Sequence, residues 1–85
     1  MTPERARAIV DEIENRQRKA DGSIYQTSQR WGIETWFANG ALCSDGSSNR
    51  QDAQRRFRHS CGLPDAEVVL YTRRVAGKFG VLEHN

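Results

Sequence analysis

Along the first twenty residues, Ala6, Ile9, Val10, Ile13, Gln17 and Ala20 recur three and four apart, the spacing of one helical face. The pattern predicts a helix capped by Thr2, with Pro3 in its first turn, where a missing N–H costs nothing. Glu4 sits near the positive end of the helix dipole, and Arg16, Arg18 and Lys19 lie near the negative end. Gly22 offers a left-handed stop. Arg7–Asp11, Glu12–Arg16 and Glu14–Arg18 are spaced to pair across one turn on the outer surface.

The period then falls to two. Residues Ser23 to Arg30, rich in Thr, Tyr, Ser and Gln, predict an edge strand. Trp31, Ile33, Thr35 and Phe37 alternate with Gly32, Glu34 and Trp36, which predicts a strand. Asn39-Gly40 and the returning Ala41-Leu42-Cys43 predict a hairpin in which both turn residues take positive φ. Ser44 to Ser47 reads as a polar loop. A second helix opens at Ser47 or Ser48, with Ser48 and Gln51 forming a capping box. Its Ala53, Phe57 and Cys61 share a face. Left-handed Gly62, Leu63 closing over the last turn, and Pro64 end it.

Ala66 to Val75 predicts a strand, with Val68, Leu70 and Thr72 on one side and Val69, Tyr71 and Arg73 on the other. Ala76-Gly77-Lys78 turns, and Phe79 to Glu83 returns as the last strand. The order α-β-β-α-β-β predicts one α+β domain over residues 1–85. Its two helices are expected to pack on one face of a small antiparallel sheet.

Composition narrows the picture. Of 85 residues, 36% are apolar and 28% charged, and the formal net charge is +2. Aromatic and β-branched residues recur along most of the chain, and disordered chains lack them. The excess of positive charge permits an anionic partner without demanding one. Two cysteines, a charged rather than apolar first segment and the lack of a membrane-length apolar run predict a cytoplasmic, reduced protein with no membrane association.

If both helices cover one face, Trp36, Val69, Tyr71 and Arg73 share the open one. Trp, Tyr and Arg together are what the centre of a protein interface carries, and the same trio could stack bases. A second candidate surface is the basic helix. Arg55, Arg58 and His59 form a stripe, Arg50 and Arg56 lie beside it, and Arg73, Arg74 and Lys78 add charge from the last hairpin. Local pairing, as between Asp52 and Arg56, would neutralise part of it.

Other chemistry is poorly supported. Cys43, His59, Cys61 and His84 lack the spacing of a zinc site. Cys61 has no oriented base, and Gly77-Lys78-Phe79-Gly80 lacks the phosphate-loop pattern. Ser28-Gln29-Arg30-Trp31-Gly32-Ile33 with Trp36 to Leu42 resembles the winged helix-turn-helix of excisionase-like regulators. Only seven residues separate Gly32 from Gly40, too few for a turn and a reading helix, so a hairpin is the better account.

The sequence therefore predicts a non-enzymatic protein-binding module without metal or cofactor, binding through Trp36, Tyr71, Arg73, Arg55, Arg58 and His59. The partner is expected to be a protein with an acidic surface. Chain size adds the expectation of a phage or mobile-element accessory protein that inhibits a host complex, as anti-CRISPR proteins do. The alternatives are an RNA- or DNA-binding domain using sheet aromatics and the basic helix, and a homodimer paired through the sheet.

Overall fold

Thr2 accepts a hydrogen bond from the Arg5 N–H at 3.1 Å and so starts the first helix where its sequence places the cap. From there the chain runs through α1 (Pro3–Arg16), β1 (Trp31–Phe37), β2 (Leu42–Ser47), α2 (Arg50–Cys61), β3 (Ala66–Thr72) and β4 (Gly80–His84). The structure is a computed structural model, and it describes residues 1–25, 28–73 and 78–85. The α+β class and the α-β-β-α-β-β order are those expected.

Helix α1 buries Ala6, Ile9, Val10 and Ile13 but stops at Arg16, one turn before Ala20. Gly22, at φ +85°, serves the turn that joins Lys19 to Ser23 and does not end the helix. The strand expected over Ser23 to Arg30 does not form among the described residues, where Ile24 makes one isolated bridge to Arg18; Gln26 and Thr27 lie outside them. Both edges of β1 are already occupied, by β2 and β3, which leaves this segment no position beside it.

The first hairpin turns through three residues, 38–40. Phe37 N–H donates to the Ala41 carbonyl at 2.9 Å, and Gly40 N–H donates to the Phe37 carbonyl at 2.9 Å. Gly40 alone takes positive φ, at +87°, while Asn39 uses its side-chain oxygen to accept from Ala41 N–H at 2.9 Å. This is a left-handed glycine closing a three-residue loop, in place of the two-residue turn expected. Strand β2 then continues through Ser44-Asp45-Gly46-Ser47, expected as a loop, paired with β1 from Trp36↔Leu42 to Trp31↔Ser47. As an edge strand exposed from Leu42 to Asp45, it has no need of the apolar alternation that marks a buried one.

Asn49, not Ser48, caps α2 by accepting from Asp52 N–H at 3.1 Å, and the Ser47 hydroxyl accepts from Asn49 N–H at 3.1 Å. Gly62 stays right-handed at φ −79°; Asp65, at φ +54°, takes the left-handed position three residues later. Strand β3 ends at Thr72. The strand end and turn expected at Arg74 to Gly77 lie outside the described residues.

The sheet order is β2-β1-β3-β4 with every neighbouring pair antiparallel. Strands β2 and β3 therefore run the same way on either side of β1, and α2 is the crossover between them. Ala53 and Phe57 of α2 pack with Ile33, Val68 and Leu70. Ala6, Ile9, Val10 and Ile13 of α1 pack with Val69, Tyr71 and Phe79. Val68 and Leu70 point opposite to Val69 and Tyr71, so each helix covers a different face.

This corrects the expectation that both helices share one face. The physical reason lies in β3: Val68, Val69, Leu70 and Tyr71 are consecutive and all buried, as in a strand covered on both sides. One helix layer would have left half of them in water.

Candidate functional site

Tyr71 begins the candidate site because it is both deep and polar. Its ring is 1% exposed and stacks on Phe79 at 5.8 Å between centroids. Gly32, opposite it on β1, supplies the room: a Cβ there would approach the ring closer than 3.0 Å. The Tyr71 hydroxyl accepts from Arg73 Nη2 at 2.9 Å. Burial pushes the phenol above its ordinary pKa, with the neighbouring Arg73 charge pulling partly the other way. The hydroxyl is thus protonated at neutral pH.

Around this hydroxyl, the C-terminal end of α1 and strands β1, β2 and β3 form a cleft of about 210 Å³. Its lining is Ile13, Arg16, Gln17, Glu34, Ser44, Tyr71 and Arg73. Glu34 is 1% exposed, yet its carboxylate is fully engaged. It accepts from Arg16 Nη2 at 3.2 Å and from the Ser44 hydroxyl at 2.7 Å. Arg16 is 46% exposed and closes the pair from the solvent side. Arg73 donates through Nη1 to the Gln29 carbonyl at 2.7 Å.

Of the residues expected to bind a partner, Tyr71 and Arg73 meet in this cleft. Trp36 does not join them. It is half-buried against the α1 core, with the Arg5 guanidinium 4.9 Å from its ring centroid, and Arg5 is itself held by Glu67 at 3.3 Å. The expected open face is therefore covered by α1 at Trp36, Val69 and Tyr71, and Arg73 is left at its margin, lining the cleft. With it go the expected base-stacking platform and the face for two-fold pairing of sheets. A sheet with apolar residues on both sides buries both, and two helices suffice to do so.

Arg55, Arg58 and His59 stand elsewhere, exposed on the outward side of α2. Part of the stripe is neutralised as the Asp52–Arg56 spacing suggests. Asp52 pairs with Arg55 and, at 2.8 Å, with Arg56, which also reaches Asp45 at 2.7 Å. Hydrogen bonds from Arg55, Ser47 and Arg56 hold the Asp52 carboxyl down at about 2. Arg50 and Arg58 have no ion pair among the described residues.

Cys61 is half-buried beside Ala53 and Phe57, and burial pushes its thiol pKa up, away from the reactive thiolate. Cys43 is exposed on β2. Among the described residues, no group of three or more His, Cys, Asp or Glu is placed to hold a metal ion. No described helix is long and apolar enough to cross a membrane.

Arg16, Gln17, Glu34 and Ser44 were not among the expected site residues. Glu34 carried the readable signal, as a charge in the middle of an alternating strand between Gly32 and Trp36. Ser44 had none, because its segment reads as a loop. No protein-family model matches the chain, and no curated protein or solved structure matches it either.

Proposed function

We propose that the chain is a non-enzymatic protein-binding module that uses the outward face of α2 to hold an acidic surface on another protein. Arg55, Arg58 and His59 form the centre of the contact and Arg50 its margin. The observation that supports this reading most is the unanswered charge on a firmly seated helix. Arg50 and Arg58 are exposed without carboxylate partners among the described residues, while Ala53 and Phe57 anchor the same helix in the core.

Such charges act mainly on encounter rate and orientation, each exposed pair adding about 1 kcal/mol or less. Several must act together, and Arg residues are enriched where they do. The base-stacking version of a nucleic-acid reading loses its support because Tyr71 is buried and Trp36 lies under Arg5. Occupying a functional surface would inhibit the partner, as an anti-CRISPR-like inhibitor of a host complex does.

The test is affinity capture from the native host, with and without nuclease. The proposal expects a protein at near-stoichiometric yield that survives nuclease treatment. Recovery of nucleic acid alone, with an affinity that falls steeply and linearly in log salt, would replace it with a phosphate-binding role.

A further inference from the structure

The cleft beside Tyr71, on the face opposite α2, holds one more cation than it has anions to answer. Its charged groups are Arg16, Arg73 and Glu34. Glu34 is already taken by Arg16 and Ser44. Arg73 is left with neutral acceptors, the Gln29 carbonyl and the Tyr71 hydroxyl, and it has no ion pair among the described residues. Its Nε–H is buried and has no hydrogen-bond partner among the described residues.

A part-buried guanidinium satisfied only by neutral groups gains from an anion, because desolvation has weakened its hold on water. Its planar fork of donors matches a carboxylate. Beside it the Tyr71 oxygen accepts from Arg73, so the phenol proton is directed away from Arg73. Gln17 and Arg16 border the same space.

We propose that this cleft is a binding site for a single carboxylate group, carried by a small organic acid or by a peptide C-terminus. Arg73 receives it, and Tyr71, Gln17 and Arg16 surround it. Charge sets the limit of one. The surplus is a single positive charge, and a phosphate dianion would set its second charge against Glu34. Size sets another. At ~30 Å³ per water, 210 Å³ holds about seven waters. That suits a small acid or a terminal residue.

The site is independent of the α2 surface and is tested on the whole chain by ¹H–¹⁵N NMR titration at constant ionic strength. The probes are acetate, triglycine, C-terminally amidated triglycine and inorganic phosphate. The expected result is saturable shifts at Gly32, Ser44, Gly46 and Arg73, with a dissociation constant in the millimolar range or tighter. Acetate binding as tightly as triglycine assigns the site to small acids. Triglycine binding tighter, with the amidated peptide silent, assigns it to peptide termini.

Arg73→Gln should weaken binding by about tenfold or more, while Lys78→Gln, which removes the same charge elsewhere, leaves it unchanged. If Arg73→Gln does not fold, Arg73→Lys keeps the charge but loses the fork, and should still weaken binding severalfold. Absence of saturable shifts with either carboxylate probe up to roughly 100 mM, far above a millimolar constant, would overturn the proposal. So would phosphate binding tighter than acetate, or full affinity in the Arg73 variant that folds.

Discussion

The ring of Tyr71 fills the space that a side chain at Gly32 would need. The two residues are cross-strand partners on the α1 face, and a Cβ at 32 would come closer than 3.0 Å to the ring and its hydroxyl. Tyr71 cannot swing aside, because Phe79 stacks on it and Ile13 packs in the same cluster. Gly32→Ala should therefore destabilise the fold by about 3 kcal/mol, the upper end of overpacking costs. Chemical denaturation checks this. A second change, Tyr71→Leu, should recover part of the loss in Gly32→Ala, so the pair is non-additive.

Arg16 and Glu34 make an unequal pair. Glu34 is 1% exposed and Arg16 46%. Removing Arg16 strands a buried carboxylate with Ser44 as its remaining donor. Removing the Glu34 charge frees a guanidinium that already reaches water. Arg16→Ala should cost about 2 kcal/mol, less than the loss from a fully buried pair. Glu34→Gln should cost less than Arg16→Ala. Urea midpoints of the two variants measure the order directly, and equal losses would show that water reaches Glu34 freely.

Stability should fall on the acid side through Asp52. In the folded chain its carboxyl titrates at about 2, against an ordinary value of 3.8. The folded state thus binds fewer protons than the unfolded one between those values, and stability rises with pH. The contribution is fully present above about pH 4 and is lost as pH falls towards 2. Thermal melts across that range should show the gap between wild type and Asp52→Asn shrinking with acid. A constant gap would mean that the arginines do not hold Asp52 in solution.

The two thiols should differ in reactivity. Cys43 is exposed on β2, whereas Cys61 is half-buried and its pKa is raised by burial and by Glu83. Iodoacetamide at neutral pH should label Cys43 first, with Cys61 following only at higher pH or on unfolding. Mass spectrometry of the labelled chain gives the order. Preferential labelling of Cys61 would instead reveal an activated thiol and reopen a catalytic role.

Local features were legible in the sequence and spatial ones were not. The Thr2 cap, the buried face of α1 from Ala6 to Ile13 and the Ala53–Phe57 face of α2 depend on neighbours within a turn, and each appears where its spacing places it. Alternation likewise sorts Ile33 from Glu34 and Val68 from Val69. It does not say which helix covers which face, since both faces of β1 and β3 are buried. The four consecutive buried residues of β3 held that information and outweigh the open-face expectation built on Trp36 and Tyr71. The cleft is not legible in the sequence because its members come from α1, β1, β2 and the end of β3, and because β2 carries too little apolar character to announce itself as a strand.

The partner surface on α2 is tested most directly by repeating capture from the native host with two altered chains. One carries Arg55→Glu and Arg58→Glu on the outward face, and the other carries Arg73→Gln in the cleft. Circular dichroism confirms that each is folded. The α2 surface predicts that the protein partner retained by wild type and by Arg73→Gln is lost from the charge-reversed chain. Undiminished capture by the charge-reversed chain would contradict it.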